Sequence, residues 1–146
     1  MTDVAKPLSA KHVLEYGYTR SLGPTLAAFF DGLKQHKLVG ARTQTGKVIV
    51  PPTPHDPETG EDVVELVELP DTGVVTTWAW VTKPRHNHPL DRPFAWALIR
   101  IDGADTAMLH VVDADESKMS TGMKVKARWT PEAIGSIKDL AWFEPA

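Results

Sequence analysis

The chain has 146 residues, 42% of them hydrophobic, which is enough for one compact core and argues against a multi-domain protein. A net charge of −3 provides no global basic field of the kind that drives non-specific nucleic-acid binding. With no cysteine, a disulfide framework, a thiolate nucleophile and every cysteine-ligated metal centre are excluded.

The first residues, "MTDVAKPLSAKHVLEYG", lack the apolar run of a secretory signal. Nowhere do about 18 consecutive apolar residues occur that would span a bilayer, so a soluble cytoplasmic protein is expected. After this polar leader, Leu26, Phe29, Phe30 and Leu33 fall at the i, i+3, i+4, i+7 spacing of one helical stripe. Pro24 suits a first helical position and Gly40 a stop, which predicts a helix over about Pro24 to His36. Its stripe must be buried against the chain's own body or a partner subunit.

From Val48 the period becomes that of strands. "KVIV" and "DVVELVEL" are short β-branched runs around the Pro-rich loop Pro51 to Gly60, and predict a small hairpin-like module. Five further runs follow: "GVVTTWAWV", "FAWALIRI", "TAMLHVV", "MKVKARW" and "IKDLAWF". Asp102-Gly103 is the strongest hairpin signal among them. Five strands in so short a stretch fit an OB-type barrel better than an immunoglobulin sandwich. The expected organisation is a helical segment over 1–38, a two-turn module over 39–68 and a barrel over 69–146.

The stretch "VGARTQTGKVIVPPTPHDPETG" has the outline of a metal knuckle with nothing in it to hold a metal. Together with "GPTLAAFFDGLKQHKLVGAR", "PFAWALIRIDGAD", "GMKVKARW" and "GSIKDLAWFEP", it resembles the domain-of-unknown-function 35 family. The resemblance covers almost the whole chain. It implies a mainly β protein with N-terminal helices, a rubredoxin-like zinc ribbon and a C-terminal OB fold. Laid on the family's ribbon pattern, Gly46, Pro51, Pro52, Pro57 and Gly60 match, while the four ligand positions fall on Arg42, Thr45, Asp56 and Thr59. A guanidinium has no lone pair to give and hydroxyls are poor zinc ligands, so a degenerate, metal-free ribbon is expected. Arg42 and Asp56 are expected to pair in place of two metal bonds, contributing ~1 kcal/mol against the ~10 kcal/mol or more of a structural zinc.

Members of this family are similar in role, as non-catalytic partners of thiolase-fold enzymes: thiolases, acyltransferases and lipid-transfer-protein-like aldolases that act on acyl-CoA or sterol side-chain CoA esters. The resemblance thus implies an accessory subunit with no cofactor of its own and a thiolase-fold partner, in acyl-CoA, steroid or lipid degradation. The residues agree in one respect, since neither a cysteine nor a G-x-S-x-G elbow is present to act as an activated nucleophile. The alternatives are a free-standing acyl-CoA-binding protein and an OB-fold nucleic-acid binder, the second disfavoured by net charge.

Lys124, Lys126 and Arg128 alternate with Val125, Ala127 and Trp129, giving one basic face that could meet the phosphates of CoA. An ordinary solvated strand face is the plainer reading. His86 and His88 in "KPRHNHPLDRP" read better as a polar loop than as metal ligands, and His110 as a strand residue rather than a base. Phe29 and Phe30 on the helix, with Trp78 and Trp80 on one face of a strand, are candidates for a partner interface. Untagged protein is expected to purify with no stoichiometric zinc; one equivalent by elemental analysis would refute the metal-free assignment.

Overall fold

The computed structural model describes residues 6–146. Residues 6–22 have no regular secondary structure and every one of them is exposed. Helix α1 spans Gly23–Lys34 with Pro24 in its first turn. Phe29 and Leu33 from its predicted stripe enter the chain's own core, with Phe30 half-buried beside them. The helix stops at its own C-terminus rather than at Gly40. The backbone N–H of His36 bonds the Leu33 carbonyl and that of Lys37 bonds the Gly32 carbonyl, both at 2.9 Å, the crossed pattern that closes a helix through one left-handed residue. That residue is His36, at φ +58°, where glycine is usual. Its ring stacks on Trp129, centroids 5.4 Å apart and 17° from parallel.

Gly40 instead lies inside a strand that the sequence pattern did not reveal, β1 (Leu38–Arg42). A Cβ here would meet Val50 Cγ2 at 2.9 Å and the Ile49 carbonyl oxygen at 3.0 Å, so glycine is required by close packing. The two runs read as a hairpin-like module do not pair with each other. β2 (Val48–Ile49) and β3 (Glu65–Leu69) flank β1 on opposite sides in a three-stranded antiparallel sheet, order β2-β1-β3. Register runs Ala41 to Ile49 on one side and Gly40 to Val67 on the other.

The remaining runs form strands β4 (Thr72–Val81), β5 (Phe94–Ile101), β6 (Ala107–Val112), β7 (Lys124–Trp129) and β8 (Leu140–Pro145). They close into a mixed barrel of order β4-β5-β6-β8-β7, the five-stranded OB arrangement. All neighbours are antiparallel except β6 and β8, which are parallel and in register only at Val112 and Phe143. No helix among the described residues is long and apolar enough to cross a membrane.

Sheet and barrel share one core. Leu33, Leu38, Val48, Val50 and Leu69 pack in the same buried cluster as Val75, Ala97, Ile99, Val125 and Phe143. Their polar seam is equally specific. The β2 edge would present unpaired backbone groups, but the β5–β6 turn satisfies them. Asp105 Oδ2 accepts from Val48 N–H at 2.8 Å, and the Asp105 N–H donates to the Val48 carbonyl at 2.8 Å. Thr106 Oγ1 accepts from Val50 N–H at 2.8 Å and donates to the Val50 carbonyl at 3.1 Å.

The β7–β8 loop is built around Asp139, which is 1% exposed. Its carboxylate accepts from the N–H groups of Ile134, Gly135 and Ser136 at 3.0, 2.7 and 3.0 Å. Burial pushes its pKa up, but these three donors and the nearby His36 pull harder, and the net position lies below the ordinary 3.8.

Two outcomes follow from these contacts. Thr106→Val keeps the shape but strands a buried donor and acceptor on Val50, and should cost about 1–3 kcal/mol. It should do so in a single urea transition, because sheet and barrel share a core; two separate transitions would contradict that. Asp139, with a depressed folded pKa, stabilises the chain above its unfolded value, and that stabilisation disappears as pH falls through the folded one. Melting temperature should therefore drop below about pH 4 in the wild type and drop less in Asp139→Asn. Parallel acid limbs would show that the loop does not depend on this carboxylate.

Candidate functional site

In the two-turn module the backbone behaves as its glycines suggest, with Gly46 and Gly60 both at positive φ. Gly46 N–H bonds the Thr43 carbonyl at 3.0 Å, and Gly60 N–H the Asp56 carbonyl at 2.8 Å. The side chains do not follow the expected scheme. Arg42 does not pair with Asp56: it points outward, donating from Nε to Glu65 Oε1 at 2.7 Å across the β1–β3 ladder. The inward position belongs to Thr43, 1% exposed, whose hydroxyl lies 2.9 Å from that of Thr45. Asp56 is 2% exposed, its Oδ1 accepting from Glu58 N–H at 2.8 Å and its Oδ2 without a partner. Thr59 accepts from Glu61 N–H at 3.3 Å. Hydroxyls and a single carboxylate do not fit a tetrahedral zinc site, and among the described residues no three His, Cys, Asp or Glu side chains come together as a metal site. The turns are bridged by an ion pair from different residues, Lys47 to Glu58.

The alternation of β7 is realised, with Val125 and Ala127 buried and Lys124, Lys126 and Arg128 exposed. The positive charge is partly neutralised. Arg128 Nη2 lies 2.7 Å from Glu144 Oε1, and Glu144 faces Lys126 in the β7–β8 register. The Glu144 carboxyl is held below its usual range by the Arg128 hydrogen bond, which exceeds the opposing burial.

Of the four residues considered for a partner interface, Phe29 is buried in the chain's own core and offers no surface. Phe30, edge-on to Phe29 at 5.5 Å, is half-buried. Trp78 and Trp80 share a face of β4, as the alternation implies, and pack half-buried against the barrel core. A register shift between Val75 and Thr77 lets Trp78 and Trp80 follow Gly73 and Val75 onto the core-facing side.

A feature that strand spacing alone did not locate is a groove of about 930 Å³ on the outer face of β5, β6 and β8. Below Val112 and Phe143 the parallel strands separate, and Leu109, His110, Leu140 and Trp142 line the opening. The β4–β5 loop contributes His86 and His88, and the β7–β8 loop Ile137. His86 and His88 form no metal pair; His88 Nδ1 accepts from Arg85 N–H at 3.2 Å and its ring stands edge-on to Phe94. The loop is fastened by Leu90 and Phe94, buried with Val111, and by Arg92, which forks onto Asp113 and lies 5.5 Å from the Trp142 ring. His110 is 8% exposed, edge-on to Phe143, with Nδ1 unpartnered. Burial pushes its pKa below the ordinary 6.5 against weaker upward pulls from the backbone at Val111 and Leu140, which favours the uncharged imidazole. A signal for the groove was present: "FAWALIRI" and "TAMLHVV" are apolar on both strand phases, and Leu98 faces Leu109 on the outside of the barrel.

Comparison with known proteins bears on this barrel first. Residues 66–130 match the family model described as the ChsH2 C-terminal OB-fold domain. No curated protein matches the chain. Among solved structures, a DUF35-family protein of unknown function from Sulfolobus solfataricus is 25% identical, with TM-score 0.59, over 72% of this chain and 78% of that one. The Ltp2-ChsH2(DUF35) aldolase is 24% identical, with TM-score 0.62, over 87% of this chain and 98% of that one. Over residues 66–130 this chain is thus similar to the ChsH2 C-terminal OB-fold domain, and over most of its length it is similar in structure to a DUF35-family protein.

Proposed function

We propose that this chain is a non-catalytic accessory subunit that binds a thiolase-fold enzyme acting on acyl-CoA or sterol side-chain CoA esters. The observation that carries the reading is the match of residues 66–130 to the ChsH2 C-terminal OB-fold domain. The likeness of fold to the Ltp2-ChsH2(DUF35) aldolase, in which a ChsH2 chain is joined with Ltp2, supports a role in association with a partner enzyme.

The chemistry of the chain is consistent with a non-catalytic role. Acyl transfer needs a nucleophile beside a base, with donors aimed at the developing oxyanion. His110, the buried histidine of the groove, is shielded, with burial pushing its pKa down, and its ring contact is Phe143 rather than a serine, threonine or carboxylate. The two-turn module serves in this reading as a metal-free spacer between α1 and the barrel.

A direct role in holding CoA phosphates falls to Lys124, Lys126 and Arg128, and is the weaker part of the reading because Glu144 occupies Arg128. A free-standing acyl-CoA-binding protein would use the same cations without a partner. Co-expression with a thiolase-fold enzyme of the proposed partner class should give one co-eluting complex on size exclusion. Separate elution of the two, with calorimetric binding of an acyl-CoA to this chain alone, would replace the accessory role with the free-standing one.

A further inference from the structure

Residues 6–22 present Leu8, Val13, Leu14, Tyr16, Tyr18 and Leu22 with no helix, strand or core to receive them. Their side-chain exposures run from 45% at Leu22 to 103% at Leu8. An isolated exposed leucine is unremarkable on a protein surface, but six large apolar side chains in one short segment are a concentrated apolar surface that water disfavours. The segment is also basic, with Lys6, Lys11 and Arg20 against Glu15, on a chain whose overall charge is −3. It runs directly into Gly23, at φ +74°, and so is anchored to α1.

We infer that residues 6–22 are a docking strap that lies along the thiolase-fold subunit in an apolar channel with an acidic rim; this rests on the accessory role proposed above. Area supports it. Two tyrosines bring ~300–500 Å² between them, and four aliphatic side chains supply much of the remainder of the ~800 Å² per partner of a stable interface. Extended, the segment reaches up to ~55 Å from α1, so it can cross a subunit surface far from the barrel. Tyrosine is the residue type expected at such a contact, because it covers apolar area and still satisfies a hydroxyl.

Charge argues against a second copy of this chain as the occupant. The apolar groove on β5, β6 and β8 has His86 and Lys138 on its walls and no acidic side chain, the wrong complement for Lys11 and Arg20. The recess lined by Asp113, Asp115, Glu116 and Glu144 has apolar walls at Trp80 and Pro93, but Arg92, Lys118 and Arg128 already pair with three of its four carboxylates, so it offers no free acidic rim. A strap that is apolar and basic together needs both properties in one channel, and neither concavity here combines them.

The test uses the full chain and the thiolase-fold enzyme with which it co-elutes. Tyr16→Ala with Tyr18→Ala should leave the far-UV spectrum and melting temperature unchanged, since both side chains are exposed, and should weaken binding by about 30-fold or more. Lys11→Glu with Arg20→Glu should weaken it further as salt is lowered, the reverse of an attractive rim. If wild-type chain binds and both variants bind equally well, the strap is refuted while the accessory role stands. If wild-type chain does not bind, both fail. If the chain alone self-associates and the tyrosine variant abolishes that, the occupant is a second copy and the inference is overturned.

Discussion

Everything on the N-terminal side of the barrel is positioned by the junction between the β2 edge and the β5–β6 turn. Asp105 and Thr106 accept from and donate to the backbone of Val48 and Val50, so the turn behaves as a further strand laid against a two-residue one. A strand as short as Val48–Ile49 has little pairing of its own, and its outer face would otherwise be an open edge. Because Val48 and Val50 also send side chains into the shared cluster, the polar seam fixes which way the apolar contacts face. Register is set by hydrogen bonds and cohesion by burial, and each would be ambiguous without the other.

That arrangement would allow the two-turn module, proposed to be metal-free, to persist without a metal. A structural zinc stabilises small ribbons that have no core of their own. Here Leu38, Val48, Val50 and Leu69 belong to the core of the whole chain, and Gly40 lets β1 approach Ile49 and Val50 closely enough to close it. Exposed ion pairs such as Arg42 with Glu65 and Lys47 with Glu58 are worth well under what a metal would supply. In the proposed metal-free module, the apolar interface with the barrel would stand in for zinc, with no ligand-by-ligand substitute needed.

What the sequence made legible follows from where local pattern and tertiary packing agree. The stripe of α1 and the alternation of β7 are periodic and the other barrel strands are apolar, β-branched or aromatic runs, and both kinds of pattern survive folding because they record what is buried. The β1 strand was hidden because Gly40, read as a helix stop, is a packing glycine, while the true stop at His36 depends on stacking against Trp129, more than ninety residues away. The supposed Arg42–Asp56 pair failed for a related reason. The resemblance put Arg42 and Asp56 at two former ligand positions and so suggested their pairing, but β1 pairing places Glu65 directly across from Arg42, and strand register decided the partner. Arg128 repeats the lesson, since alternation correctly set its face and the β8 register then supplied Glu144.

The proposed accessory role, lending surfaces rather than chemistry, needs a rigid core with contacts outside it. The seam at Val48 and Val50 and the Asp139 loop hold sheet, helix and barrel as one body, which fixes where α1 begins. From that fixed point residues 6–22 extend without contributing to the shared core, so their apolar side chains can change partners at no cost to folding. Stability and association are in this way assigned to different residues. Substitutions that loosen the core would move both properties together, whereas those confined to the N-terminal segment would move association alone.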